Sequence, residues 1–97
     1  MKVSLHPEAV EDLREAAKFY RERAGTDLSR SLVDEFERSL KVLRTHPGIG
    51  GVWRGEMRRF AMKRFPYSLI YLVSEEEIRV LAVAHHSRRP GYWRERK

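Results

Sequence analysis

Apolar positions recur along this chain with two periods, and the change from one to the other marks its architecture. Lys2 to Leu5 alternates over four residues, as a short strand does, and His6-Pro7 ends it. Val10, Leu13, Ala17, Tyr20 and Ala24 then fall three or four apart, which predicts a helix with one apolar face. Pro7 suits the first helical turn, where its missing N–H is no loss. Glu8, Glu11 and Asp12 complement the positive end of the helix dipole, and Arg21 and Arg23 the negative end. Gly25 offers a left-handed stop. Thr26 or Asp27 is placed to cap a second helix, whose stripe is Leu28, Leu32, Phe36, Leu40 and Leu43, widened by Val33. Asp34–Arg38 and Glu37–Lys41 are spaced to pair on its outer face, and Pro47 cannot continue it. The short connection at Gly25–Asp27 predicts an antiparallel helical hairpin.

Beyond the glycine-rich stretch at 48–51, read as a flexible loop, the period becomes that of strands. Val52, Trp53, Met57, Phe60 and Met62 mark a second strand within Trp53–Met62. Tyr67–Val73 and Ile78–Ala84 are β-branched and aromatic runs joined by an acidic turn, Ser74 to Glu77. In Tyr67–Val73, the set Tyr67, Leu69, Tyr71, Val73 alternates with Ser68, Ile70, Leu72; apolar residues on both faces predict a strand inside the sheet. The expected fold is α+β in the order β-α-α-β-β-β, a single domain over residues 1–97 with the helical hairpin on one face of a small antiparallel sheet.

Composition narrows the function. With no cysteine, disulfides and thiolate metal sites are excluded. No apolar run approaches the ~18 residues of a membrane span, and the N-terminus lacks a signal-peptide core, so a cytoplasmic protein without membrane contact is expected. Residues 1–52 carry nine basic and nine acidic side chains; the whole net charge of +6 comes from the eleven Lys/Arg and five Asp/Glu of residues 53–97. A one-sided positive field favours a polyanionic partner, either nucleic acid or an acidic protein segment.

The candidate chemistry lies in that basic half. No cofactor or metal constellation is present: His85 and His86 are adjacent, so on a strand they point to opposite faces. The remaining set is Arg58, Arg59, Lys63, Arg64, His85, His86, Arg88, Arg89, Tyr92 and Trp93. Metal-free RNA cleavage needs a proton acceptor, a proton donor and cations around the phosphate; His86 or an arginine-crowded tyrosine fits the first roles and arginine the last. The same set serves equally as a plain binding surface. Tyr67, Tyr71 and Phe65 read as core packing, and Trp93 as a clasp folding back over the sheet edge.

Four segments, HPEAVEDLREAAKFY, LVDEFERSLKVLRTHPGIG, MRRFAMKRFPYSLIYLV and IRVLAVAHHSRRPGYW, together span nearly the whole chain. In this order and spacing the chain resembles the RelE/ParE superfamily of toxins from bacterial type II toxin–antitoxin modules. The resemblance implies a small growth inhibitor held in a hetero-oligomer by a cognate antitoxin, acting either on the ribosome and its mRNA or on DNA gyrase. For the ribonuclease branch it implies Arg59, Arg88 and Tyr92 as catalytic positions, with Lys63 beside them; to these the residue chemistry adds His86. Arg58, Lys63, Arg64, Arg89 and Trp93 are the expected target-binding residues in either branch. Ser68 stands where the ribonuclease branch is expected to carry an arginine, which tilts the reading toward a gyrase inhibitor. A degenerate, non-toxic antitoxin binder is the third alternative.

Overall fold

The computed structural model describes residues 1–87 and 91–96. Strand β1 (Lys2–Leu5) leads into helices α1 (Pro7–Ala24) and α2 (Thr26–Thr45), then into strands β2 (Gly51–Arg54), β3 (Met57–Ala61), β4 (Tyr67–Val73) and β5 (Glu77–His85). Their order in the sheet is β1-β5-β4-β3-β2. Strands β2 to β5 form the expected antiparallel meander, whereas β1 lies parallel to β5, pairing Lys2 with Glu77 through Leu5 with Val80. The sheet is therefore mixed, because the first strand joins the last across the whole sequence.

The region Trp53–Met62, expected as one strand, is a hairpin. Arg54 pairs with Met57 across a two-residue turn in which Gly55 has φ +54°. A glycine first in such a turn matches the twist of the flanking strands at no steric cost, and so divides the run in two. The helical hairpin forms as expected, but α2 starts without a side-chain cap: Gly25 occupies that position with φ 98°. Arg38 of α2 pairs with the buried Glu35 at 3.3 Å rather than with Asp34 on the outer face.

Both faces of β4 are buried, each differently. Tyr67, Leu69 and Tyr71 join Ile78, Val80 and Val83 beneath Leu32, Phe36 and Leu43 of α2 and Ala9 and Ala16 of α1. On the other face Ile70, Ala82 and Ala84 are covered by Trp93, with Trp53, Met57 and Tyr92 packed around them. That cover is the C-terminal segment, whose Arg96 is anchored at the first turns of α1. Its guanidinium lies 2.7 Å from Asp12 and 3.3 Å from Glu8, and donates to the Leu81 carbonyl. Asp12 also accepts the N–H of Val83 at 3.1 Å. β1 ends at Leu5, so these side chains meet the edge of β5 where strand pairing stops. Burial alone would disfavour the charge on Arg96, but the bond to Asp12 and the charges of Asp12 and Glu8 outweigh it and raise its pKa.

The glycine-rich segment before β2 is held rather than loose. Tyr71 donates its hydroxyl to the Pro47 carbonyl and accepts the Gly50 N–H, both at 2.9 Å. A side chain at Gly50 would bring a Cβ to 2.5 Å from the Tyr71 oxygen and 2.8 Å from the Arg59 carbonyl, so only glycine fits.

Candidate functional site

Alternation separates the two histidines, and an irregularity in β5 decides which face each takes. Ile70 pairs with Ala82 and Tyr71 with Val80, which leaves Leu81 without a partner on β4. This bulge reverses the alternation: Ile78 and Val80 face the helices, and so do Val83 and His85, while Ala82, Ala84 and His86 face the other way. His85 packs edge-on against Tyr67 at 4.9 Å and accepts the backbone N–H of Ser87 on Nδ1. His86 is exposed on the face that carries the tail.

Three functional groups converge on that face. Met57, Arg59 and Ala61 of β3 share it with Ser68, Ile70 and Leu72 of β4. The register sets Arg59 opposite Ile70 and diagonal to Ser68. The Arg59 Nε donates to the Ser68 hydroxyl at 3.2 Å, and His86 Nε2 lies 2.9 Å from the same oxygen. Arginine only donates, so the serine oxygen accepts from Arg59 and passes its own proton toward His86 when the imidazole carries its hydrogen on Nδ1. Ser68 is 1% exposed and anchors the trio from below. Trp53 and Trp93 pack against each other with ring centroids 5.2 Å apart, and both line a cleft of about 50 Å3 that Ile70 and Ala84 also line.

The remaining predicted positions scatter. Arg58 faces the helix side, where it donates to the carbonyls of Gly50 at 2.8 Å and Gly48 at 3.3 Å. Its guanidinium braces the β2 loop. Lys63 and Arg64 are exposed in the β3–β4 turn, at the same end of the sheet as Ser68. Tyr92 packs edge-on against Trp93 at 4.9 Å with Arg96 over its ring at 5.1 Å, and its hydroxyl oxygen is shielded from solvent. Trp93 is 5% exposed and folds back over the sheet, but onto the face of β4 and β5 rather than over the edge as expected. Arg88 and Arg89 lie outside the described residues.

Three residues that matter here escaped the sequence reading. In the sequence Ser68 marks only the absence of an arginine, yet it joins Arg59 to His86. Glu35, 5% exposed, accepts the backbone N–H of Lys63 at 3.3 Å and so ties the basic turn to α2. Asp12 closes the tail. The last two carried a signal: Glu35 lies three residues after Leu32, and Asp12 three after Ala9, both on buried helical faces where a charge requires a partner. Among the described residues no group of three or more His, Asp or Glu side chains is placed to hold a metal ion, and no helix is long and apolar enough to cross a membrane.

Residues 3–90 match the family described as ParE toxin of the type II toxin–antitoxin system parDE. The chain belongs to the ParE toxin family. The RelE/ParE resemblance read from its four segments therefore holds. Comparison with curated protein sequences gives no match. Among solved structures, the chromosomal ParDE toxin–antitoxin system from P. aeruginosa superimposes with a TM-score of 0.78 at 20% identity, covering 88% of this chain and 95% of that one. At that identity the likeness is one of fold. Within this ParE-family chain, the sheet face beneath the tail is where Arg59, His86 and Trp93 of the predicted set meet, and among the described residues no carboxylate lines the cleft.

Proposed function

We propose that this chain is a growth-inhibiting toxin of the gyrase-directed kind, acting in the cytoplasm and neutralised in a hetero-oligomer by an antitoxin encoded beside it. The observation that carries the choice of target is the placement of Tyr92. A tyrosine that takes or gives a proton during RNA cleavage must present its hydroxyl to the phosphodiester. Here that oxygen is shielded within the tail, under Arg96 and against Trp93. Ser68 supplies no cation where the ribonuclease branch is expected to have one. What remains accessible is a binding surface: Arg59 and His86 on the sheet, and Lys63 and Arg64 on the neighbouring turn.

One observation favours ribosome-dependent mRNA cleavage as the second reading. Arg59 and His86 do converge, bringing a phosphate ligand and a proton carrier together through Ser68. Purified, antitoxin-free protein separates the two readings. Inhibition of gyrase supercoiling with intact mRNA in a translation reaction supports the first. Ribosome-dependent cuts at codon boundaries, abolished by His86→Ala, establish the second. Expression without the neighbouring gene that leaves growth unaffected overturns both and identifies a non-toxic antitoxin binder.

A further inference from the structure

We infer that the cleft lined by Arg59 and the packed Trp53–Trp93 pair receives one carboxylate, the side chain of a Glu or Asp on an acidic segment of a protein partner. The inference deepens the neutralised-toxin reading above and rests on it only in taking that partner to be the antitoxin. Three observations point to this ligand.

The first is an imbalance of donors. Arg59 is exposed; its Nε is held by Ser68, and its two Nη groups have no acceptor among the described residues. Trp93 lines the same cleft, and its indole N–H is buried with no hydrogen-bond acceptor among the described residues. A buried N–H without an acceptor costs stability, and an oxyanion in the cleft would remove that cost once the indole turns its N–H toward the ligand. The second is size. About 50 Å3 admits roughly three water-sized groups, the dimension of a carboxylate and less than a phosphodiester carrying its two sugars. The third is shape and charge. The guanidinium fork matches the two oxygens of a planar carboxylate, its single positive charge matches a monoanion, and the indole walls suit the methylene stem behind it.

Ser68 then has a defined function. By holding Nε, it fixes the plane of the guanidinium and turns the two Nη groups outward as a pair. The fork is thus oriented before the ligand arrives, which lowers the entropy lost on binding.

The test uses the full chain and four probes. Shifts of the two tryptophan indole N–H signals are followed by NMR at constant ionic strength with N-acetyl-glutamate methylamide, its glutamine counterpart, a dinucleoside monophosphate and inorganic phosphate. A saturable shift of the Trp93 signal with the glutamate probe, and none with glutamine, is expected. Arg59→Gln should weaken binding about tenfold or more, the loss of a bidentate charged contact. Replacing Trp93 by 3-benzothienylalanine, which keeps the bicyclic ring and carries sulfur where the N–H was, should weaken binding about threefold to tenfold, read from the Trp53 signal. Equal response to glutamine, no saturable response, tighter binding of the dinucleotide or of phosphate, or unchanged affinity in both variants overturns the inference. Growth arrest by the unaccompanied chain is scored separately: arrest with an unresponsive cleft sinks the carboxylate site alone, and no arrest with a responsive cleft sinks the toxin reading alone.

Discussion

The two faces of the sheet use alternate residues of the same strands and are built on different physics. The helix face is sealed by two long helices, and its polar groups are satisfied inside it: the Tyr71 hydroxyl serves Pro47 and Gly50. Among the described residues the opposite face is covered by the short segment at 91–96, fastened at Arg96, and its polar groups at Arg59, Ser68 and His86 converge beside an open cleft. One residue along β4 separates the two regimes: Leu69 belongs to the core, and Ser68 and Ile70 belong to the site. Stability and recognition therefore share a strand while drawing on opposite sides of it.

Truncation is the strongest way to challenge that contrast. Leu69→Ala should cost about 4 kcal/mol in denaturant unfolding, since helices and sheet hold the cavity open around a residue that is 0% exposed. Ile70→Ala, equally buried, should cost about 2 kcal/mol, because the tail above it can settle into the space. Equal losses would show the tail to be as rigid as the helices.

Arg96→Met comes next. It leaves the Asp12 carboxylate, with its side chain 9% exposed, without its cation, and should cost about 3 kcal/mol. Hydrogen exchange should rise across 91–96 and at Trp93 before it rises in α2. A uniform rise would mean that tail and core form one cooperative unit.

Tyr71→Phe tests the helix face from its polar side. It strands the Gly50 N–H and the Pro47 carbonyl and should cost about 1–3 kcal/mol. It should also change the alkaline limb of stability. Burial, the largest influence, raises the pKa of both Tyr67 and Tyr71; for Tyr67 the neighbouring Tyr20 and Tyr92 add to it, and for Tyr71 the Gly50 hydrogen bond and Arg58 only partly offset it. Above the ordinary tyrosine value of about 10 the unfolded chain releases these protons while the folded chain keeps them. The unfolded state then binds fewer protons, so stability is complete below about pH 10 and falls as pH rises through it. Tyr71→Phe should make that fall shallower, by chemical denaturation across pH 9 to 11.

The smallest effect is expected at Arg58, whose bonds reach loop carbonyls at a part-buried position. Arg58→Gln should cost under about 1 kcal/mol and leave inhibition of the target unchanged. A selective loss of inhibition would return Arg58 to the binding surface.

By itself the sequence determined the kinds of element and the allocation of β4. Three- and four-residue spacing fixed both helices, and alternation placed Tyr67, Leu69 and Tyr71 opposite Ser68 and Ile70, because periodicity is a local property that burial then reads directly. The even charge of the first half and the excess in the second were also plain. Only the tertiary structure decided the rest. The bulge at Leu81 assigned His85 to the helix face and His86 to the site, a one-residue slip that turns every later side chain over. The parallel pairing of β1 with β5 and the closure of Arg96 on Asp12, 84 residues apart, depend on contacts no local pattern encodes. Ser68 gained its meaning the same way, from two neighbours that pairing and bulge delivered to a residue of no distinction in its own segment.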